Sequence, residues 1–279
     1  MYLYVAETVG THDLNKGIVI KQEITQKELT QLNSAFRVCS IYNSITQIKN
    51  IVVENGENFK GYMSPQNLQR IHSEKLSPEK AIMYANKFVL NYASSVSTYI
   101  DMEIRLLEKH CKEQVETFRS LCNHFYDNTM EYRFWVLFRN FIVHCEFPYT
   151  VYQESIEDGC RIICLKEQLL KYKKWKHCQG NIEKMEVQVD LPGLVDNMSS
   201  IICALYIDFF RYFATDIIDG ITTYGSFCRK YEVERPVILK MHEPKQLEGS
   251  RMQPLPVKEL RAAFEVLKSN PRVEIDIKD

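Results

Sequence analysis

The stretch EYRFWVLFRNFIVHCEFPY, Glu131–Tyr149, decides the fold. Its aromatic and aliphatic residues predict a buried helix from about Met130 to Cys145. Pro148 ends it, because a proline pushes the preceding Phe147 out of the helical region. Inside the helix lies RNFIVH, Arg139–His144. A helix made only for the core has no need of an Arg, an Asn and a His just before its end. The competing reading is a helix end whose Arg139 and His144 are satisfied by local carbonyls and carboxylates.

The same period extends outward. Thr25-Gln-Lys-Glu28 fits a capping box, and Leu29, Leu32, Phe36, Ile41, Ile45, Ile48 and Val52 follow at helical spacing. One helix is expected from about 26 to 54, closed by Asn55-Gly56. Ser77-Pro78-Glu79 starts another, running to about His110, and Glu113–Tyr126 fits a shorter one ended by Asp127-Asn128. Leu191–Tyr231 predicts a last long helix, in which Gly220 serves a bend or a close approach. Between these helices, Arg161–Leu165 and the alternating Lys184–Asp190 predict an antiparallel hairpin with a basic loop, Lys171–His177, inside it. Residues 1–23 hold a turn signal, HDLNKG, and room for one or two short strands. The Pro-rich tail from Glu234 holds a short helix near Val257–Lys268 and an alternating VEIDI end. The expected architecture is mainly α, a bundle of four to five long helices with a small inserted β-hairpin. It divides into an N-terminal segment 1–24, a helical domain 25–231 with the insertion near 160–190, and a C-terminal extension 232–279.

Only 10 Gly and 9 Pro in 279 residues fit long helices better than a loop-rich β fold. A net charge of −1 excludes bulk coating of nucleic acid, so any such contact is local. The start MYLYVAETVG shows no secretory pattern, and the 9 Cys read as reduced thiols of a cytoplasmic protein. The apolar stretch Met198–Ile218 is interrupted by Asp208, Arg211 and Asp216, so no membrane span is expected.

Arg139, Asn140 and His144 suit phosphodiester chemistry. A guanidinium pairs with phosphate through two parallel hydrogen bonds, imidazole moves protons near neutral pH, and Asn orients without charge. RNA supplies its own nucleophile, the 2′-hydroxyl, so the set can work without a metal. Placed near the negative end of a helix dipole, His144 suits the role of general acid or charge stabiliser. Asn140 and His144 share a face, whereas Arg139 and His144 diverge by about 140° around one helix. Two copies meeting across a symmetric interface could form a shared cleft, so a homodimer is expected.

The string R-N-x-x-x-H at the end of an apolar helix resembles the signature of the HEPN superfamily. That resemblance implies a helical, usually dimeric protein, and for many members a metal-independent endoribonuclease of toxin–antitoxin, abortive-infection or RNA-guided defence systems. It implies catalytic roles for Arg139, Asn140 and His144, an RNA substrate, and an antitoxin or activating partner. Members modified by a nucleotidyltransferase partner carry Tyr two residues after the His, where this chain has Glu146. The alternative is a non-catalytic HEPN-fold module that binds nucleotide, RNA or protein.

Other features carry paired readings. Lys171, Lys173, Lys174, Trp175 and Lys176 offer phosphate contacts and a ring for stacking bases, or else form a solvated loop. Glu103, Glu108 and Glu113 read as a solvated helix face, and Tyr206, Phe209, Phe210, Tyr212 and Phe213 as core or dimer interface. Adjacent His-Cys pairs point apart and no C-x-x-C occurs, so neither metal nor cofactor is expected. No G-x-G-x-x-G, P-loop or G-x-S-x-G is present.

Overall fold

Helices dominate the chain, as its long-period patterning predicts. A computed structural model describes residues 2–9, 17–155, 159–244 and 247–275. In chain order it holds β1 (Tyr2–Val9), β2 (Gly17–Glu23), α1 (Gln26–Ala35), α2 (Arg37–Tyr62), α3 (Pro65–Ser73) and α4 (Pro78–His110). Then come α5 (Val115–Asn128), α6 (Met130–His144), β3 (Tyr149–Ser155), β4 (Gly159–Cys164), α7 (Lys166–Leu170) and α8 (Gln179–Glu183). The chain continues with α9 (Val195–Phe209), α10 (Ala214–Tyr231), β5 (Pro236–Met241), β6 (Arg251–Pro254) and α11 (Val257–Lys268). These elements form two units: a helical unit, Ile45–Phe209, and a terminal unit, Met1–Ser44 with Phe210–Asp279.

In the terminal unit the two ends of the chain share one antiparallel sheet, ordered β2-β1-β5-β6. Tyr4 faces Glu23 on one side and Leu239 on the other. One sheet face buries Tyr4, Ala6, Val237, Leu239 and Met241, with Ile20 packed against them. The capping box at α1 forms as expected: Thr25 Oγ1 accepts the Glu28 N–H at 3.2 Å, and Glu28 Oε2 accepts the Thr25 N–H at 2.8 Å. Glu28 Oε1 also accepts from Lys230 and from the Tyr231 hydroxyl, which hold its carboxyl far below the usual range.

The expected helix 26–54 is two helices, broken at Phe36, whose φ of −90° and ψ of 6° leave the helical region. α2 then runs past Asn55-Gly56 to Tyr62, because Val52 and the fully buried Phe59 keep its apolar stripe going. Gly56 is there for close approach: a Cβ would lie 2.9 Å from Val195 Cγ1 and 3.1 Å from Tyr92. The expected helix 191–231 is also interrupted, by a 3-10 turn at Phe210–Phe213. Consecutive rings serve different cores there, Phe209 against Phe118 at 6.4 Å and Phe210 against Tyr42 at 5.7 Å, and one unbroken helix does not satisfy both. Tyr206, Phe209, Phe210 and Phe213 are core, one of the two readings expected of this stripe, and Tyr212 is half-buried.

Gly220 sits mid-helix in α10 and is a packing contact, with no bend required. A Cβ there would lie 2.8 Å from the Ala35 carbonyl oxygen and 2.9 Å from Leu260 Cδ1. Gly220→Ala is therefore expected to lower the unfolding free energy by about 1–3 kcal/mol, despite alanine's better helix propensity, as measured by urea denaturation.

The hairpin is real, and the strand expected at Arg161–Leu165 stands as β4, but its partner is β3 and not Lys184–Asp190. β4 pairs with β3, Tyr149↔Cys164 through Ser155↔Gly159, and Gly159 takes the positive φ of 76°. The alternating Lys184–Asp190 forms no strand. It touches β4's end through one bridge, Leu165↔Gln188, and Val187 stays 68% exposed. An alternating pattern makes a strand only when one face is buried. β5, β6 and α3 lie where no element was expected, although α3 starts with Ser64-Pro65, the same signal that starts α4. The turn at His12–Lys16 lies outside the described residues. Val273–Ile275 of the expected alternating end is not a strand, and Asp276 and Ile277 lie outside the description.

Candidate functional site

α6 is the centre of the helical unit. Tyr132, Phe134, Trp135, Leu137, Phe138 and Phe141 are all buried. Trp135 meets Tyr92 edge-to-face at 4.7 Å and donates its indole N–H to the Leu194 carbonyl at 3.0 Å. The helix closes with the Cys145 N–H on the Phe141 carbonyl at 2.9 Å, and Cys145 then turns away with φ −127° and ψ −84° ahead of Pro148.

What this packing leaves uncovered is the motif. Arg139 and His144 are exposed, Asn140 is half-buried, and Val143 is 59% exposed. At about 100° per residue these four positions occupy one sector of about 140°, with Arg139 and His144 at its two edges. Among the described residues, no side-chain hydrogen bond or ion pair engages Arg139, Asn140 or His144. The reading in which local carbonyls and carboxylates satisfy the Arg and the His therefore has no support in the geometry. Both groups are available to a ligand, and one helix alone does not aim them at a single atom.

The basic loop reaches this end of α6. Lys171 Nζ pairs with Glu146 at 2.9 Å, two residues past His144, and with Gln168 Oε1 at 2.9 Å. The Glu146 carboxylate raises the Lys171 pKa. Lys173, Lys174 and Lys176 are exposed, Lys173 donating to the Leu170 carbonyl at 3.0 Å. Trp175 must be corrected. It is fully buried, stacked on Phe134 at 5.5 Å and Phe141 at 5.6 Å, with its N–H on the Leu169 carbonyl at 2.6 Å. It belongs to the core of α6 and offers no face to a base. The missed signal was spacing: Tyr172, Trp175 and Cys178 are buried while the lysines between them face solvent.

Glu103 is a second correction. Glu108 and Glu113 are exposed, but Glu103 is fully buried. Its Oε1 accepts the Tyr99 hydroxyl at 2.6 Å, and its Oε2 is buried without a hydrogen-bond partner among the described residues. Burial, aided by Asp208, pushes its pKa well above the ordinary carboxylate value despite the Tyr99 bond, which favours the neutral acid.

Among the described residues no group of three His, Cys, Asp or Glu is arranged to hold a metal ion, and no helix is long and apolar enough to cross a membrane. Comparison with protein-family models, with curated proteins and with solved structures finds no match.

Proposed function

We propose that the helical unit is a HEPN-type, metal-independent endoribonuclease that acts as a homodimer, in a toxin or antiviral defence setting with an antitoxin or activating partner. The observation that carries this reading is the pair Arg139 and His144, solvent-exposed at the end of an otherwise buried helix and without a side-chain hydrogen bond or ion pair among the described residues. A polar or charged side chain left exposed beside a packed core is open to a ligand. In the proposed reaction the 2′-hydroxyl oxygen bonds to the adjacent phosphorus and the bond to the 5′-oxygen breaks. Arg139 holds the non-bridging oxygens, His144 gives the leaving oxygen its proton, and Asn140 positions one of them. The 2′-hydroxyl proton passes to solvent or to the partner copy's imidazole, and the product ends in a 2′,3′-cyclic phosphate. The spread of the motif over about 140° of one helix is the reason two copies are invoked. Lys171, Lys173, Lys174 and Lys176 add local positive charge for the RNA backbone.

The test is cleavage of a mixed RNA pool with EDTA present by wild type, His144→Ala and Arg139→Ala. Wild-type cutting with cyclic-phosphate ends, reduced at least 100-fold in both variants, is the expected result. Equal cutting by all three assigns the activity to a contaminant and removes the site. A second reading, a non-catalytic module of the same fold, is favoured by Val143 and Phe147, 59% and 48% exposed beside the motif, which suit a protein interface. A purified dimer that cuts no RNA, with function retained in His144→Ala, selects that reading.

A further inference from the structure

We propose that a cavity on the hairpin side of the helical unit, walled by β4, the start of β3, Met63 and α3, and the segment Gln188–Pro192, is a nucleobase-binding site that takes guanine. The cavity measures about 280 Å³ and its walls are the apolar side chains of Met63, Leu68, Ile163 and Pro192. That volume falls at the small end of ligand pockets and suits a base rather than a whole nucleotide.

Four polar side chains line the cavity, Tyr149, Arg161, Gln188 and Asp190, and Tyr149 and Asp190 are the pair that would read the base edge. Tyr149 lines the cavity, is 2% exposed, and its hydroxyl is buried without a hydrogen-bond partner among the described residues. A buried phenol normally finds one, so an orphan on a cavity wall points to a ligand atom. Its backbone is fixed from behind: Asn86 Nδ2 donates to the Tyr149 carbonyl at 2.8 Å, and the Tyr149 N–H donates to Asn86 Oδ1 at 3.1 Å. The second group is Asp190, an exposed carboxylate on the rim. Its Oδ1 accepts the Gly193 N–H at 3.2 Å, and a Cβ at Gly193 would stand 2.5 Å from Oδ2. Glycine there lets the turn close onto the carboxylate and fix it.

The chemistry of this pair selects among bases. A carboxylate only accepts, and guanine alone presents two adjacent donors, N1–H and N2–H, that one carboxylate can take together. A neutral phenol, kept neutral by burial, donates to O6 or N7 of the same ring. Adenine, cytosine and uracil lack the paired donors. The hydroxyl is shut from solvent, so the entering base must draw the rim aside. That rim hangs on β4's end by the Lys166 N–H to the Val187 carbonyl, 2.9 Å, and the Val189 N–H to the Cys164 carbonyl, 2.8 Å.

This binding is independent of the cleavage reading, since no catalytic step enters it. The test is calorimetric titration of the full chain with guanosine and with adenosine, for wild type, Tyr149→Phe and Asp190→Asn. Guanosine is expected to bind at least 10-fold more tightly than adenosine. Each variant is expected to weaken guanosine at least 10-fold, while the melting temperature of Tyr149→Phe does not fall, because it removes a hydroxyl that has no partner. No heat with millimolar guanosine, equal affinity for adenosine, or guanosine binding unchanged in both variants would each overturn the proposal.

Discussion

Trp175→Ala is expected to lower the unfolding free energy of the protein by about 3–5 kcal/mol, the cost of deleting a large buried aromatic side chain. The indole is fully buried, lies nearly parallel to Phe134 at 4° and meets Tyr172 edge-to-face at 5.5 Å. Truncation removes these contacts, opens a void against α6 and leaves the Leu169 carbonyl with the Tyr172 N–H at 3.2 Å but without the shorter indole bond. Trp175→Phe keeps a ring in the stack and loses the N–H, so a smaller loss, about 1–2 kcal/mol, is expected. Trp135 is the other of the 2 Trp and remains as the fluorescence reporter for urea unfolding. Because Phe141 stands beside Asn140 on α6, the Ala variant also loosens the helix that presents Arg139 and His144. Any RNA activity should then fall with stability while the exposed lysines stay intact. Unchanged stability together with lost RNA binding would return Trp175 to the role of a stacking platform and overturn its assignment to the core.

The contrast between Trp175 and its neighbours shows what the sequence could and could not tell. Helices with strong local signals were legible, because caps and prolines act within one turn. The box at Thr25–Glu28, Ser77-Pro78 and the stop before Pro148 all stand where read, and α11 spans the expected Val257–Lys268. The same local logic went unused at Ser64-Pro65. What failed was information held by distant partners. The pairing of β1 with β5 joins residues more than 200 positions apart, and nothing near Val5 announces Ile238. The hairpin assignment went astray because Lys184–Asp190 alternates more cleanly than Tyr149–Ser155, yet only the latter meets β4 along its length. For the candidate site, the residue types and helix position of Arg139, Asn140 and His144 were legible, and so was their angular spread. Their lack of internal partners was not, since that depends on what packs nearby. Tyr149 and Glu103 gave no signal at all: a Tyr after a proline and a Glu on a long helix are ordinary until their surroundings are known.

The stability contributed by Glu103 is expected to fall as pH rises from the acid side through neutrality, and Glu103→Gln should remove that contribution to the slope. The sign follows from linkage. The folded-state pKa of Glu103 is raised above its unfolded value of 4.5, so the folded protein retains a proton that the unfolded chain releases. Its contribution is fully present below the unfolded pKa and is lost progressively as pH climbs toward the folded value. The groups facing Glu103 act in the same direction or secure the neutral form. Asp208 opposes a second negative charge, and the Tyr99 hydroxyl, itself raised by burial and by Glu103, stays a donor to Oε1. Glutamine keeps an oxygen for Tyr99 and cannot ionise, but its amide N–H groups meet the place where Oε2 already lacked a partner. At pH 4 the variant should therefore match wild type or fall about 1 kcal/mol below it, and at pH 8 to 9 it should be the more stable of the two. Urea unfolding at several pH values measures the crossing. Parallel stability curves for the two proteins would mean that Glu103 ionises in the folded state much as it does in the unfolded chain, and the assignment of a neutral buried acid would fail.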